Sequence, residues 1–116
     1  MGRFPRTSRL TKPSDFKEVF NSSYRSGDRE FLVLAKPNGQ TFARLGLAIS
    51  KRRVPTAVGR NRVKRLIRES FRRHQDSLKG FDIVVMSQKG SNDKDNKTLK
   101  DSLSVHWKRL RKCRKS

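Results

Sequence analysis

The sequence contains one cysteine and few apolar residues. Cys113 alone cannot form an intramolecular disulfide or a cysteine-based zinc cage, so we predict a reducing, cytoplasmic location. Hydrophobic residues make up 32% of the 116 residues. The longest apolar run, residues 31–35, is far shorter than the roughly 20 residues that a membrane span requires. No apolar segment follows the basic N-terminus, so we predict no secretory signal. These shortages favour a single domain, residues 1–116, with a flexible basic lead over 1–12 and a basic tail over 111–116.

Acidic residues are also scarce, because ten Asp and Glu stand against thirty Lys and Arg, for a net charge of +20. The cations are clustered: residues 51–73 hold ten of them and a single acid, Glu69. Charges that serve solubility are usually mixed in sign. A cluster of one sign favours a polyanionic partner, since each phosphate that a cation neutralises releases a counterion.

The hydrophobic pattern predicts helices and strands that alternate along the chain. Phe16, Val19 and Phe20 give residues 13–20 one apolar helical face. Strands are predicted over 30–35 and 41–50, and the turn residues between them suggest an antiparallel hairpin.

The second half of the chain predicts two long helices around a strand. Thr56 is a candidate cap for a helix over 57–74, and Asp95 or Asn96 for a last helix. The nearly all-apolar strand between them, residues 81–87, is expected inside the sheet. The order helix, two or three strands, helix, strand, helix predicts an α+β sandwich with one sheet packed against helices.

The chain offers no convincing active site of its own. The closest acids are the pairs Asp28 and Glu30, and Asp93 and Asp95, each with a basic residue between its members. Phosphodiester hydrolysis usually takes carboxylates that hold divalent metals, or a histidine pair. We expect His106 and the other histidine to serve packing or helix-end roles. We therefore predict no catalytic residue, no protein-bound metal and no small-molecule ligand.

The basic residues instead predict an RNA-binding surface. Residues 50–53 end a strand shortly before the helix at Ala57, so both elements present cations to one region. Arginine predominates there, which favours forked contacts to phosphate. Asn61, among these arginines, could brace the local backbone or bind RNA. Phe16 and Phe20 could pack in the core or stack on nucleotides, and the core is the simpler role.

Two stretches carry a resemblance to a known family. Residues 45–52, Leu-Gly-Leu-Ala-Ile-Ser-Lys-Arg, and residues 57–69, Ala-Val-Gly-Arg-Asn-Arg-Val-Lys-Arg-Leu-Ile-Arg-Glu, resemble the protein subunit of bacterial ribonuclease P. The resemblance extends over nearly the whole chain, up to about Arg111. It implies a left-handed crossover around the long helix. It also implies an enzyme in which an RNA, using Mg²⁺, cleaves the 5′ leader from precursor tRNA while the protein binds both RNAs.

The resemblance also implies roles for individual residues. The cleft for the single-stranded leader would use Phe16, Phe20, Ser50, Lys51 and Arg52. The helix that docks on ribonuclease P RNA would use Arg60, Asn61, Arg62, Lys64, Arg65 and Arg68. One departure is Leu34, where some members carry a cleft tyrosine.

Two other classes of protein share parts of this pattern. A structural ribosomal protein would have the same charge and α+β build, and would associate with ribosomal subunits. A DNA-binding regulator would need a second helix packed just before the helix at Ala57. The sequence there predicts a strand instead.

Overall fold

Three helices and four strands make up the computed structural model, which describes residues 9–21 and 24–115. In chain order they are α1 Pro13–Phe20, β1 Tyr24–Gly27, β2 Phe31–Pro37, β3 Arg44–Ala48, α2 Ala57–His74, β4 Phe81–Ser87 and α3 Asn96–Lys115. Short 3₁₀ turns flank β4 at Asp76–Leu78 and Lys89–Ser91. The predicted α+β class is confirmed.

The four strands form one sheet in the order β1-β2-β4-β3. The predicted interior position of β4 is confirmed, since it pairs antiparallel with β2 and parallel with β3. The predicted hairpin of β2 and β3 is wrong, because β4 lies between them. A long-range strand displaces the local pairing that the turn residues suggested. Helix α2 connects the parallel neighbours β3 and β4, and the left-handedness of this connection stays a prediction.

The edge strand β1 falls in a stretch that showed no strand pattern. Its register aligns Tyr24 with Ala35 and Gly27 with Leu32. Ser26 and Gly27 have low strand propensity, so the strand depends on tertiary contacts. The Tyr24 ring packs edge-on against Phe81, and Ser26 Oγ lies 2.6 Å from His106 Nδ1 in α3.

The two faces of the sheet are covered differently. Alternate strand residues point to opposite faces. Val33 and Val85 point toward the main core beneath α2 and α3, whereas Leu34 and Val84 point toward α1. Helix α1 therefore lies alone on one face, and α2 and α3 lie together on the other.

Both long helices begin and pack as the sequence predicts. Thr56 Oγ1 accepts a hydrogen bond from Gly59 N–H at 3.0 Å, and Asp95 Oδ1 accepts one from Thr98 N–H at 2.9 Å. Trp107 of α3 is fully buried, and its indole N–H donates to Ser70 Oγ of α2 at 2.8 Å. No helix in the described ranges is long and apolar enough to cross a membrane.

The predicted basic lead is partly fixed on the sheet. Residues 1–8 lie outside the described residues. Arg9 forms a parallel bridge with Leu45, and Leu10 N–H donates to Leu45 O at 2.9 Å. The Leu10 side chain is buried with Val19 and Leu34. The prediction of flexibility is wrong for this part of the lead, because Leu10 adds to the small core under α1.

Candidate nucleic-acid interface

A cleft of about 240 Å³ runs along the edge of β3, between α1 and α2. Its floor is apolar and its rim is cationic. The lining residues are Arg9, Leu10, Thr11, Phe16, Leu45, Leu47, Lys64 and Arg68. The cleft therefore joins the lead, the first helix, the edge strand and the long basic helix in one surface.

The two aromatic residues of α1 differ in exposure. Phe16 is half-buried against the small core, whereas Phe20 is 44% exposed. Their ring centroids lie 6.3 Å apart with the planes tilted by 51°. The core role considered for Phe20 is wrong, because Phe20 belongs to neither core cluster, and the exposed part of its side chain is open to a ligand.

Gly46 allows Phe16 to lie close to the sheet. A Cβ atom at Gly46 would lie 2.7 Å from Phe16 Cζ, closer than carbon atoms can approach. A side chain here would force the ring, and with it α1, away from β3. The absence of a side chain at this strand position thus defines the cleft wall.

The surface beyond α1 is aliphatic. Leu34, where some family members carry tyrosine, is 5% exposed and packs beneath α1 with Val19. The next row across the same face consists of Leu32, Met86 and Ala48, which pair with one another and are half-buried. These three side chains form an open apolar row beside α1.

Residues 50–53 form a turn at the end of this row. Ser50 is built into it: its N–H donates to Ser87 Oγ at 3.1 Å, and its Oγ accepts from Arg53 N–H at 3.2 Å. Lys51 and Arg52 are exposed, and neither makes a hydrogen bond or ion pair with a described residue. The structure does not place these three residues in the cleft itself. They lie four to six residues beyond Gly46, and four residues correspond to about 13 Å of extended chain.

Two arginines of α2 are already engaged within the protein. Arg60 Nη1 donates to Val54 O at 3.0 Å and to Pro55 O at 2.9 Å. Arg62 Nε donates to Asn96 Oδ1 at 2.9 Å, and its Nη2 donates to Lys94 O at 2.6 Å. Both retain their charge, but these contacts fix the loop before α2 and the start of α3.

The remaining predicted docking residues fall on two sides of α2. Asn61 and Arg65 are exposed and make no described contact, so the bracing role considered for Asn61 does not occur among the described residues. Lys64 and Arg68, one turn apart, line the cleft instead. The family resemblance assigned Lys64 and Arg68 to RNA docking, but it could not show that they lie beside Phe16 of α1.

The acidic residues near the sheet form hydrogen bonds and ion pairs within the protein. Asp82 receives Arg44 Nε at 2.8 Å, Arg44 Nη2 at 2.6 Å and Asn38 Nδ2 at 2.9 Å. The pKa of Arg44 is raised, chiefly by its hydrogen bonds to Asp82. Ion pairs also link the sheet to α1: Arg44 Nη1 lies 4.0 Å from Asp15 Oδ2, and Lys36 Nζ lies 3.0 Å from Glu18 Oε1.

Asp28 and Asp95 have comparable structural roles. Asp28 Oδ1 accepts from Phe31 N–H at 2.8 Å, and Oδ2 accepts from Ser102 Oγ at 2.6 Å. Asp95 caps α3. Among the described residues, no three His, Cys, Asp or Glu side chains gather into a cation site. The carboxylates of Asp28 and Asp95 are thus committed to holding turns and helices.

His106 is completely buried between α3 and β1, which agrees with its predicted packing role. Its Nε2 lies 3.1 Å from Asp28 Oδ2, and Arg109 Nη1 donates to Ser26 Oγ at 3.0 Å. Burial lowers the pKa of His106 below its ordinary value, and this outweighs the opposing attraction of Asp28. Burial alone would raise the pKa of Asp28, but the hydrogen bonds from Ser102 and Phe31 lower it overall. Sequence reasoning missed this network because its members are far apart in the chain.

Comparisons with known proteins agree with the resemblance. The family model described as Ribonuclease P matches residues 4–111. The chain is 47% identical to the ribonuclease P protein component of Azotobacter vinelandii, covering 96% of this chain and 86% of that protein. It is 43% identical to that of Aliivibrio fischeri, covering 92% of each.

Solved structures show the same likeness. The RNase P protein of Staphylococcus aureus superposes with a TM-score of 0.80 at 31% identity, covering 87% of this chain and 93% of that chain. The RNase P protein of Thermotoga maritima superposes with a TM-score of 0.76 at 34% identity, covering 87% of this chain and 96% of that chain. Neither a ribosomal protein nor a DNA-binding regulator is supported. The chain therefore belongs to the ribonuclease P protein family, as a subunit of the ribonucleoprotein enzyme that matures the 5′ ends of tRNA with ribonuclease P RNA as its partner.

Proposed function

We propose that the cleft and the apolar row beside it bind the single-stranded 5′ leader of precursor tRNA. The observation that carries this proposal is the arrangement of an exposed aromatic ring, an aliphatic floor and a cationic rim on one continuous surface. Proteins that bind single strands combine stacking side chains with cations that follow the backbone. Phe20 supplies the stacking ring, and Lys64 and Arg68 face the cleft as cations.

The leader would cross the sheet toward the turn at residues 50–53. Leu32, Met86 and Ala48 offer apolar contact along this path, and Lys51 and Arg52 offer two unpaired charges at its end. Ser50 orders the turn that carries these charges. None of these side chains forms a rigid pattern of donors and acceptors for base edges. The contacts would therefore show weak sequence preference.

The outer side of α2 would dock on ribonuclease P RNA. Arg65 and Asn61 are exposed there, next to Arg60 and Arg62, whose guanidinium groups are held in place by backbone and side-chain oxygens. A fixed guanidinium loses little side-chain entropy when it meets a phosphate. The first two turns of α2 are thus preorganised for RNA, and Lys64 and Arg68 lie between the two RNAs.

Catalysis would belong to the RNA, with Mg²⁺ held there. The described carboxylates do not fit a metal site of the protein, since the best-placed ones accept hydrogen bonds from the protein itself. The chain's own contribution would be to neutralise phosphates where leader and RNA subunit converge. Neutralised phosphates repel one another less. This favours binding of the substrate and makes Mg²⁺ binding at the RNA active site easier.

Precursor-tRNA cleavage at low Mg²⁺, by a bacterial ribonuclease P RNA with and without this protein, tests the proposal. We expect the protein to lower both the Mg²⁺ requirement and the KM for precursor tRNA. We expect rigorously RNA-free protein to leave precursor tRNA intact. Cleavage by the RNA-free protein that Asp93→Asn or Asp95→Asn abolishes would contradict the assignment of catalysis to the RNA. An RNA subunit that works equally well without the protein would contradict the proposed role in substrate binding.

A further inference from the structure

The C-terminal halves of α2 and α3 form a second cationic surface away from the cleft. The two helices run in the same general direction, because Arg62 contacts Asn96 near their starts and Ser70 contacts Trp107 further along. Between them lies a shallow pocket of about 70 Å³, lined by Glu69, Ser70, Arg73, His74, Lys100 and Ser104. We call the surface formed by Arg73, Lys100, Lys108 and Arg111 the α2–α3 groove.

The cations of this groove follow one stripe of α3. Lys100, Ser104 and Lys108 are each four residues apart, and Arg111 follows three residues later, so all four share a helical side. The stripe extends over about 16 Å of helix. Arg73 borders the same pocket from α2. The groove therefore presents a line of positive charge rather than scattered cations.

Stabilisation of helix ends does not explain this line. Cations near the last turn of a helix interact favourably with its dipole, and this accounts for Arg73 near the end of α2 at His74. The effect fades within one turn. Lys100 and Lys108 lie well before the last turn of α3, which ends at Lys115, so their placement needs another reason.

Internal ion pairing does not explain the line either. Within the described ranges, no side-chain hydrogen bond or ion pair is made by the four cations of the groove, Arg73, Lys100, Lys108 and Arg111. Glu69 is the one acid in the pocket lining. Asp101 pairs with Lys97 at 3.1 Å. From residue 102 to the end of α3 the sequence contains no acid. The groove thus has positive charge in excess.

We infer that the α2–α3 groove binds the phosphate backbone of ribonuclease P RNA, at a segment separate from the one that docks on the first turns of α2. The groove lies on the sheet face opposite α1, so it faces away from Phe20 and the proposed leader path. It continues the basic surface of α2, past Arg65, toward the other end of the same helix. This inference goes beyond the proposed function, because it assigns the protein a second contact with its RNA partner.

A matched pair of triple variants tests the groove. Lys100→Gln, Lys108→Gln and Arg111→Gln together remove three groove charges. Lys17→Gln, Arg29→Gln and Lys89→Gln remove three exposed charges elsewhere. Affinity for the ribonuclease P RNA alone is measured against salt concentration, after thermal unfolding shows that both variants are folded. We expect the groove variant to lower the salt slope by about three, one for each lost phosphate contact, and the control by less than about one.

Hydroxyl-radical footprinting of the RNA separates the groove from the docking helix. The groove variant should expose one protected RNA stretch, and Arg65→Ala should expose a different one. Equal salt slopes for the two triple variants, or loss of the same stretch in both footprints, would overturn the inference. The preference of the groove variant for precursor over mature tRNA should equal that of the wild type. The salt slope and footprint thus test the groove, whereas the preference for precursor over mature tRNA tests the leader cleft, so the two proposals can fail independently.

Discussion

The two faces of the sheet divide stability and binding between them. The face under α2 and α3 buries eighteen of the described residues in one cluster that includes Trp107 and Phe71, whereas the face under α1 buries four. The smaller cluster is supplemented by exposed or half-exposed ion pairs such as Lys36–Glu18, which contribute little on their own. The face with the weaker core is the one that leaves Phe20 and the aliphatic row accessible. The large core stabilises the fold, and the small one holds α1 against the sheet as one wall of the cleft.

The largest expected effect is the loss of the Trp107 side chain. Trp107→Ala removes a buried ring that packs edge-on against Phe71 with centroids 6.3 Å apart. We expect a loss of about 3–5 kcal/mol in the free energy of unfolding, measured by urea denaturation. Val105→Ala, at a position 45% exposed on the same helix, should change it by less than about 0.5 kcal/mol. Similar losses for both variants would contradict the assignment of the main core to this face.

The pH dependence of stability tests the link between the main core and β1. The pKa of His106 is lowered by burial, so its neutral form is favoured in the folded state. The unfolded chain then binds more protons as the pH falls below about 6.5, and stability decreases. The lowered pKa of Asp28 adds a further loss as the pH falls below about 4, since its carboxylate is stabilised only when ionised.

His106→Gln isolates the first of these two effects. The variant should be less stable than the wild type at neutral pH, because Ser26 and Asp28 lose a partner. Its free energy of unfolding should vary less with pH just below 6.5, where the wild type loses stability. An unchanged pH dependence in this range would show that His106 does not titrate on unfolding.

Two arginines of α2 offer a smaller and more selective test. Arg65→Ala removes an exposed charge that has no described partner. It should lower the salt slope of RNA-subunit binding by about one and leave the free energy of unfolding within about 0.5 kcal/mol. Arg60→Ala should also lower stability, by about 1–2 kcal/mol, because Val54 O and Pro55 O lose a charged donor. Equal free energies of unfolding for Arg60→Ala and Arg65→Ala would contradict the structural role of Arg60. An unchanged salt slope for Arg65→Ala would contradict its role in RNA docking.

The sequence predicted those features that depend on local pattern. The periodic apolar residues and the caps Thr56 and Asp95 were enough to place α2 and α3. The pairing of β4 between β2 and β3 was missed, because a parallel neighbour separated by a whole helix leaves no local signal. The predicted order allowed a third strand before α2 but did not locate β1, since distant contacts hold its Ser26 and Gly27 in a strand.

The candidate site was predicted residue by residue but not in its arrangement. The family resemblance named Phe16, Phe20 and the cations of α2. It did not show that Leu10, Lys64 and Arg68 line the same cleft. These features depend on how α1 lies on the sheet relative to α2, and Phe16 of α1 packs closely on Gly46 of β3. A sequence motif identifies the residues of the site, but only the tertiary structure shows which of them lie on one surface.

In the proposed function, the Phe20 ring stacks on the leader and does not support the core. Phe20→Ala in the holoenzyme, assembled with ribonuclease P RNA, tests it through the ratio of affinities for precursor and mature tRNA, with thermal unfolding measured alongside. A lost stacking contact is worth about 1–3 kcal/mol, so the ratio should fall about five- to a hundredfold while the variant remains folded. An unchanged ratio in a folded variant, or a loss of stability of about 3–5 kcal/mol that weakens binding of both tRNAs alike, would contradict the stacking role of Phe20.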